Sequence, residues 1–363
     1  MSKVFFTSES VTSGHPDKVC DSIADHILDA ALAQDPDSHM AVEATIKDDF
    51  VLIYGEANTK ADLDYAAIAR KVIRDIGYDE KYNVLLKISR QSAEINDAVD
   101  QDSVAAGDQG IMFGYACSET DNYMPFAIDC AHKLAARLEE VRRKDPRLKP
   151  DGKTQVTAEY EDDKVVRVDT VVVSTQHTAE ISQEELHDLI LNEVILPVID
   201  PAYIDADTKF LINPSGSFIV GGSFGDSGTT GRKIVVDSYG GYAPIGGGCF
   251  SSKDPTKVDR SAAYYARYVC RNLVANGLCG KCLLQLSYAI GRKEPLSLHI
   301  DTYGTGRFSD DELIRIIEQN FDFRVSNIIR ELDLRKPIYH KAVNYGHFGK
   351  PDLPWEQFKK IEY

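Results

Sequence analysis

Apolar residues recur at helix spacing in several parts of the chain. Between Pro16 and about Gln34 they lie on one face at every fourth position: Val19, Ile23, Ile27 and Ala31. This pattern predicts a helix with Pro16 in its first turn. Further helices are predicted at 63–76 (closed by Gly77), 183–198, 255–275 and 310–320.

Alternating apolar and polar residues predict a β-hairpin of strands 40–47 and 50–56. With a two-residue turn, Glu43 faces Tyr54, and Glu56 lies one diagonal step along the same face, about 7–8 Å from Glu43 or less. The opposite face is apolar. Acids on a polar face are most often solvated, but these two could also meet a metal cation or the ammonium group of a substrate.

Helices and strands are interspersed along the whole chain. Further strands are predicted at 154–160, 165–174, 232–238, 283–289 and 296–302. The order of elements indicates the α+β class, with antiparallel or mixed sheets. Small, acidic or glycine-rich stretches at 100–110 and 221–231 are either domain boundaries or active-site loops within domains.

The composition is that of a globular protein with an acidic balance. The 363 residues predict two or three domains. With 41 Lys and Arg against 57 Asp and Glu, the net charge of −16 gives no general attraction to nucleic acid or to an anionic membrane. No apolar run approaches the roughly 18 residues of a membrane span, and no signal-peptide pattern is present. We therefore expect a cytoplasmic protein.

Seven scattered cysteines, an odd number, indicate reduced thiols rather than a disulfide framework. Cys279 and Cys282 have the spacing of metal ligands. Structural zinc needs four ligands, however, and no second Cys or His pair lies nearby. The spacing of this pair is best read as coincidence.

Glycines and basic residues cluster in the segment 221–233. It contains five glycines and ends in Arg232-Lys233. The segment does not fit the Walker A pattern, because no Lys-Ser or Lys-Thr follows its last glycine. Glycines of this kind can simply allow a tight turn. Two basic residues directly after them favour anion binding.

The segment 246–260 combines a glycine run with a predicted helix start. Asp254 is expected as the N-cap and Pro255 as the first helical residue. Lys253 and Lys257 flank this start, where free amide groups already favour phosphate. The alternative is a solvated, charged helix start, but glycines and basic residues recur here together.

Two acids are placed at helix starts. Asp17 lies in the motif Gly14-His15-Pro16-Asp17-Lys18, and Asp259 lies in the first turns of the predicted helix 255–275. Such acids often only complement the helix dipole. If the two helix starts meet, however, they could share a metal, because a polyphosphate–Mg²⁺ complex needs lysines for free oxygens and carboxylates for the metal.

Several motifs together resemble one known family over essentially the whole chain. They are Gly14-His15-Pro16-Asp17-Lys18, Gly107-Asp108-Gln109-Gly110, Gly231-Arg232-Lys233, the stretch 247–260, Tyr239-Gly240-Gly241 and Tyr345-Gly346-His347-Phe348-Gly349. These motifs resemble the signatures of the S-adenosylmethionine synthetase (methionine adenosyltransferase) family.

The resemblance implies an α+β fold of three similar α/β-sandwich-like domains in a pseudo-threefold arrangement. An N-terminal domain would span residues 1–98, a central domain 105–220 and a C-terminal domain 221–363, and strands could be exchanged between them. It also implies a homodimer with active sites at the interface, commonly paired as a homotetramer, with no nucleic-acid or membrane partner.

The implied reaction is attack of the methionine sulfur on C5′ of ATP. Intact tripolyphosphate leaves and is hydrolysed to pyrophosphate and phosphate before release. The implied cofactors are Mg²⁺, two per site, and K⁺.

The resemblance further implies roles for individual residues, with His15 near C5′ and Phe218 stacked on adenine. The implied catalytic residues are His15, Asp108, Lys153, Arg232 and Lys253. The implied ATP-binding residues are His15, Asp151, Lys153, Ser217, Phe218, Asp226, Arg232, Lys233, Cys249 and Lys253. The implied methionine-binding residues are Glu56, Gln91, Asp226 and Lys257. Asp17 and Asp259 would bind Mg²⁺, and Glu43 would bind K⁺.

The sequence departs from the family pattern at a few positions. Ser13 stands where Glu is usual, Ser217 where Arg is common, Ser227 where Cys is frequent and Cys249 where Ala is common. The segment 91–107 is a few residues shorter than the usual lid, so we expect it to admit bulkier S-alkyl homologues of methionine.

Two rival functions remain open from the residues alone. A phosphotransferase that moves phosphate from ATP to a small acceptor would use the same lysines, aspartates and Mg²⁺. A non-catalytic nucleotide-binding subunit would be expected to lack charged site residues, yet His15, Asp17, Lys153, Lys253 and Asp259 are all present.

Overall fold

The computed structural model describes residues 3–90 and 104–363. Gln91, predicted to bind methionine, and most of the predicted lid 91–107 lie outside the described residues. None of the helices in the two described ranges has both the length and the apolar character of a membrane span.

The described strands form three sheets. The strands are β1 (Lys3–Val11), β2 (His39–Lys47), β3 (Phe50–Asn58), β4 (Asn83–Ser89), β5 (Gly110–Cys117), β6 (Leu148–Glu161), β7 (Lys164–His177), β8 (Lys209–Ile212), β9 (Gly228–Thr229), β10 (Lys281–Tyr288) and β11 (Ser297–Asp301). Sheet N has the order β4-β3-β2-β9, sheet M the order β1-β6-β7-β8, and sheet C the order β11-β10-β5. Strands far apart in sequence therefore share a sheet, as β1 and β6 do in antiparallel pairing.

Helices pack against each of these sheets. They are α1 (Pro16–Gln34), α2 (Tyr65–Ile76), α3 (Phe126–Arg142), α4 (Gln183–Ile190), α5 (Gly222–Gly225), α6 (Ile234–Asp237), α7 (Val258–Ala275), α8 (Asp310–Asn320), α9 (Val325–Glu331) and α10 (Tyr339–Ala342). Helix α1 packs on β2, α3 on β6 and α7 on β5. One apolar core joins α1, α7 and sheets N and C, and a second joins α3, α4 and sheet M. This arrangement agrees with the predicted α+β class.

The predicted α1 is confirmed at both ends. Its N-cap is His15 and Pro16 is its first residue. The apolar stripe that predicted it is buried. Helix α8 also has the predicted bounds. Helix α2 ends as expected at Gly77, which has the left-handed φ of +116°, but it begins two residues later than predicted, after the N-cap Asp64.

The predicted hairpin is confirmed in its register. Glu43 pairs with Tyr54, and Glu56 pairs with Ala41, two residues from Glu43 on the same strand. Glu43 and Glu56 therefore share a face, because alternate residues of a strand point the same way. The Tyr54 hydroxyl donates a hydrogen bond to Oε2 of Glu43 at 3.2 Å.

Two element predictions are wrong in part. Residues 232–238 were predicted as a strand, but they contain the one-turn helix α6, since a short apolar run does not distinguish strand from helix. Helix 183–198 is α4 only to Ile190, and a π-helical turn follows over Leu191–Ile195. Short 3₁₀ turns lie at Pro201–Tyr203 and Pro354–Glu356.

The expected N-cap at Asp254 is also wrong, because α7 begins at Val258 with Lys257 as its N-cap. The Asp254 carboxylate instead accepts hydrogen bonds from the amide of Thr256 at 2.8 Å and of Met40 at 2.7 Å. Asp254 therefore holds the loop before α7 against β2.

Candidate active site

His15 is a buried histidine at the start of α1, with 4% of its surface exposed. Its Nδ1 accepts a hydrogen bond from the amide of Asp17 at 3.2 Å, so Nε2 carries the proton of the neutral ring. Burial, followed by the charge of Lys233, lowers the pKa of His15 to about 3. The imidazole is therefore neutral at pH 7 and has one N–H to donate.

Asp17 is an ionised carboxylate next to two cations. Its Oδ2 lies 2.6 Å from Nζ of Lys233, and its Oδ1 accepts a hydrogen bond from the Thr229 amide at 3.0 Å. Nε of Arg232 lies 3.7 Å from Oδ1. Burial raises the pKa of Asp17, but the hydrogen bonds from Lys233 and Thr229 outweigh burial and hold that pKa below its usual value.

The glycines of 221–231 bring the chain against the start of α1. A Cβ at Gly228 would lie 2.2 Å from the backbone carbonyl of Pro16, and Gly231 has a φ of +82°. The Gly231 amide donates to Oδ1 of Asp21 at 2.8 Å. Only residues without a side chain allow this approach, which places Arg232 and Lys233 beside Asp17.

Asp151 and its neighbours complete this part of the site. Oδ2 of the buried Asp151 accepts a hydrogen bond from the Gly222 amide at 2.8 Å. Burial raises the pKa of Asp151 to about 6, although that hydrogen bond and the charge of Lys153 oppose the rise. Lys153 and Asp226 are exposed, and both act electrostatically on His15 and Asp151.

We call these residues the His15 group. Its members are His15, Asp17, Asp151, Lys153, Asp226, Arg232 and Lys233. Phe218, half-buried, and Ser217, exposed, lie between β8 and α5, a few residues before this group's glycine run.

A second set of predicted residues surrounds Lys253 and Asp259, whose side chains form an ion pair. A Cβ at Gly248 would lie 2.2 Å from Cγ of Asp259, and one at Gly110 would lie 3.1 Å from Oδ1. The glycine loops at 107–110 and 246–249 therefore both pass close to the Asp259 carboxylate.

The other members of this set lie on the neighbouring loop and on the hairpin. Lys257 binds Oδ2 of Asp254 at 2.5 Å. Lys253 forms an antiparallel bridge with Ala41, the residue that pairs with Glu56. The two hairpin acids are therefore next to a lysine loop. We call this set the Lys253 group: Glu43, Glu56, Asp108, Cys249, Lys253, Lys257 and Asp259.

The two groups meet where Gly231 touches Cys249. A Cβ at Gly231 would lie 2.7 Å from the Cys249 Cβ. Cys249 is half-buried, and burial raises the pKa of its thiol. The sulfur is therefore a neutral contact between two charged loops and not a thiolate.

The donor set fits Mg²⁺ that arrives with phosphates. Within residues 3–90 and 104–363, no three His, Cys, Asp or Glu side chains form a metal-binding group. Mg²⁺ usually takes only one or two carboxylates, with phosphate and water oxygens for the rest. Asp17 and Asp259 each offer one carboxylate, which a lysine neutralises here. Glu43 offers a further carboxylate, which accepts a hydrogen bond from the Tyr54 hydroxyl.

Buried charged residues behind the site were missed from the sequence. Lys18 binds Asp237 at 2.6 Å and Asp21 at 3.1 Å. The guanidinium of Arg260 binds both oxygens of Asp25, at 2.8 and 2.7 Å. The signal was present, because α1 carries an acid at every fourth position, on one face. The pairs Lys18–Asp237 and Arg260–Asp25 tie α1 to α6 and α7, the helices that follow the two glycine loops.

The comparisons with known proteins match this architecture throughout. Residues 3–104 match the N-terminal domain of S-adenosylmethionine synthetase, residues 103–218 its central domain and residues 220–357 its C-terminal domain. The chain belongs to the S-adenosylmethionine synthetase family. The family resemblance and the fold class predicted from the sequence are thereby confirmed.

Curated relatives cover the chain almost completely. The S-adenosylmethionine synthase of Clostridium tetani (strain Massachusetts / E88) is 51% identical over an alignment of 381 positions, which covers 98% of this chain and 97% of the relative. The S-adenosylmethionine synthase of Clostridium botulinum (strain Alaska E43 / Type E3) is 50% identical over an alignment of 384 positions, which covers 99% of this chain and 98% of the relative. The prediction of a methionine adenosyltransferase-type enzyme is confirmed.

Proposed function

We propose that this chain makes S-adenosylmethionine from ATP and L-methionine. A sulfur lone pair forms a bond to C5′ of ATP, the C5′–O bond breaks, and its electrons stay on the tripolyphosphate oxygen. The observation that carries this proposal is the pairing of lysines with aspartates on two glycine-rich loops, one of them beside the neutral, buried imidazole of His15, which suits a substrate with a large anionic leaving group.

Lysines and arginine would stabilise the leaving group. Displacement at carbon places growing negative charge on the triphosphate, and fixed cations are most effective where that charge develops. Arg232, Lys233 and Lys253 would bind phosphate oxygens, with Lys153 near the reacting end. Lys233 and Lys253 already sit in ion pairs, so their ammonium groups are held in place before ATP arrives.

His15 would act on the bond that breaks. Its neutral ring keeps a proton on Nε2, and that N–H can donate to the oxygen between C5′ and the α-phosphorus. A donor at this oxygen favours departure of the tripolyphosphate without supplying a free proton.

Residues of both groups would bind the rest of the substrates. Methionine would be held through its ammonium group by Glu56 and Asp226 and through its carboxylate by Lys257, since such pairs are charge-assisted. Asp108 would be a further acid of the substrate pocket. The remaining proposed ATP contacts are Asp151, Ser217, Phe218, Asp226 and Cys249.

Asp17 and Asp259 would hold two Mg²⁺ ions per site, and Glu43 would hold K⁺. When bound, Mg²⁺ supplies positive charge to the triphosphate. The same lysines and arginine would retain tripolyphosphate after the first step, so that water cleaves it to pyrophosphate and phosphate before release.

We further propose a homodimer with its active sites at the interface, paired as a homotetramer. Large apolar side chains are exposed on strands of all three sheets: Phe5 on β1, Leu85 on β4 and Ile111 on β5, each at least 44% exposed. Exposed apolar residues on sheet faces support burial against a second subunit.

The C5′–O cleavage is tested with ATP that carries ¹⁸O in the bridge between C5′ and the α-phosphorus. The proposal predicts that all of the label leaves with the polyphosphate products and none stays with the adenosyl group. Label that stays on the nucleoside would mean P–O cleavage and would favour the phosphotransferase. Omission of methionine is the control, and it should stop label transfer.

A further inference from the structure

His177, the last residue of β7, holds both backbone polar groups of Phe218. The amide of His177 donates to the carbonyl of Phe218 at 2.9 Å. The amide of Phe218 donates to Nε2 of His177 at 3.0 Å. One buried histidine, with 2% of its surface exposed, thus sets the orientation of the Phe218 backbone at two points.

The surroundings of His177 fix the protonation state that this contact needs. Its Nδ1 lies 2.8 Å from the carbonyl oxygen of Thr178, which can only accept, so the ring proton is on Nδ1. Nε2 is therefore free to accept from Phe218. The side-chain amide of Gln183 also reaches Nε2, at 3.3 Å, and contributes a second donor to the same acceptor.

The residues after Phe218 are held by side chains at the end of β7 and the start of β6. The side-chain amide of Gln176 donates to the carbonyl of Ile219 at 3.0 Å. A Cβ at Gly221 would lie 2.7 Å from Cδ of Gln176, so the chain passes this side chain closely. The Gly222 amide then reaches Asp151. The segment 218–222 is thus held by Asp151, Gln176 and His177, which lie at the adjacent ends of β6 and β7.

We propose that His177 is a positioning residue for the purine: through the Phe218 backbone it holds the half-buried Phe218 ring at the angle that stacks on adenine. The inference rests on the proposed function, because it assumes that Phe218 contacts the base. His177 itself touches neither the triphosphate groups nor the reacting atoms. Its loss should weaken recognition of adenine and leave recognition of phosphates intact.

The test compares a ligand with a base and a ligand without one. The probes are adenylyl imidodiphosphate, a slowly hydrolysed ATP analogue, and inorganic tripolyphosphate. Each is titrated into the protein in the presence of Mg²⁺, and binding is followed by calorimetry. For His177→Ala we expect the Kd for the analogue to rise about tenfold, since stacking on an aromatic ring contributes about 1–3 kcal/mol per base. The Kd for tripolyphosphate should change less than about twofold.

Further variants separate positioning from a general structural effect. In His177→Gln, the side-chain oxygen can replace Nε2 as acceptor, so this variant should recover most of the affinity. Phe218→Ala should weaken analogue binding as His177→Ala does, and the double variant should be little worse than either, because both remove one interaction. His187→Ala, an exposed histidine on α4, is the matched control and should bind both ligands normally.

The outcomes distinguish failure of this inference from failure of the proposed function. If His177→Ala weakens the binding of both ligands equally, or of neither, while the wild type still binds the analogue, the positioning role of His177 is overturned. A wild-type chain that binds tripolyphosphate but not the analogue would contradict the proposed function itself, and with it this inference. In steady-state assays, His177→Ala should raise KM for ATP far more than it lowers kcat.

Discussion

Aspartate–lysine pairs dominate the charge arrangement of the site at the scale of single residues. Lys233 binds Asp17, Lys253 binds Asp259 and Lys257 binds Asp254. These lysines are partly buried, so their ammonium groups have little freedom to move. Each pair thus keeps a cation ready for phosphate or carboxylate, and Asp17 and Asp259 also keep a carboxylate ready for a metal, without an unpaired charge in the free protein.

We predict that Lys253→Ala lowers kcat/KM for ATP by about a hundredfold or more, because one fixed cation is lost at the leaving group. The free energy of unfolding should fall by only about 1 kcal/mol, since the substitution removes few core contacts. Steady-state kinetics and urea unfolding measure the two effects. Lys336→Ala, which removes an exposed lysine that also pairs with an aspartate, is the control. An unfolded Lys253→Ala protein would count against the assignment.

We predict that buried His132 makes the fold sensitive to acid. Burial lowers the pKa of His132 to about 3, whereas an unfolded histidine titrates near 6.5. The unfolded state therefore binds the extra proton first, and stability is lost as pH falls from about 6.5 toward 3. From pH 7 to pH 5 this residue should cost about 2 kcal/mol of unfolding free energy.

Urea unfolding at pH 7 and pH 5 tests this prediction in His132→Asn, which keeps a polar atom near the Ser10 hydroxyl that His132 contacts at 2.8 Å. The pH dependence should be smaller in this variant than in the wild type. His187→Asn, on the surface, should retain the wild-type dependence. If His132→Asn loses as much unfolding free energy between pH 7 and pH 5 as the wild type, His132 is not the residue responsible for the acid sensitivity.

At the scale of elements, α1 is the scaffold of the site. Its start carries His15 and Asp17, its next turn carries Asp21, which holds Gly231, and Asp25 holds the loop before α7 through the Ser252 amide at 3.1 Å. Both glycine loops are therefore fixed to one rigid helix, and the junction between the two groups depends on their close approach.

We predict that Gly231→Ala disrupts this junction. A Cβ at this position would collide with Cys249, so the two loops must separate. We expect a loss of about 2–4 kcal/mol of unfolding free energy and of at least about tenfold in kcat/KM. Gly277→Ala is the matched control, because Gly277 also has a positive φ, +71°, but open space at its Cβ. It should cost about 1 kcal/mol and leave kcat/KM unchanged. Equal effects of the two substitutions would contradict the role of the contact.

Local pattern explains what could be predicted from the sequence. The register of Glu43 and Tyr54 followed from alternation and a two-residue turn, and α1 followed from its apolar stripe. Asp254 was misplaced because its partner, the Met40 amide, lies more than 200 residues away in sequence. The contact between Gly231 and Cys249 joins loops that acids of α1 hold in place. The spacing of these acids is visible in the sequence, but their partners lie more than 200 residues away and no local pattern identifies them. The hairpin acids, Asp17, Asp259 and the basic residues of both loops were singled out from the residue pattern. The other site residues and the individual roles were named through family resemblance, and these roles remain predictions.

At the scale of the whole molecule, the proposed shared site leads to a complementation test. The proposed active sites lie at the dimer interface, so we expect each site to combine the His15 group of one subunit with the Lys253 group of its partner. The contact between Gly231 and Cys249 would then link the two sites of the dimer within each chain. His15→Ala and Lys253→Ala should each be nearly inactive. Mixed dimers, purified through two different tags, should regain up to about half of wild-type activity, because one site of the two is intact. No recovery in verified mixed dimers would place both groups in one subunit.

The most direct test of the proposed synthesis of S-adenosylmethionine is a product balance. Purified protein is incubated with ATP, methionine, Mg²⁺ and K⁺, and S-adenosylmethionine, pyrophosphate and phosphate are followed by chromatography. We predict equimolar formation of all three, dependent on both substrates. Formation of ADP, or binding of ATP with no sulfonium product, would contradict the proposed function.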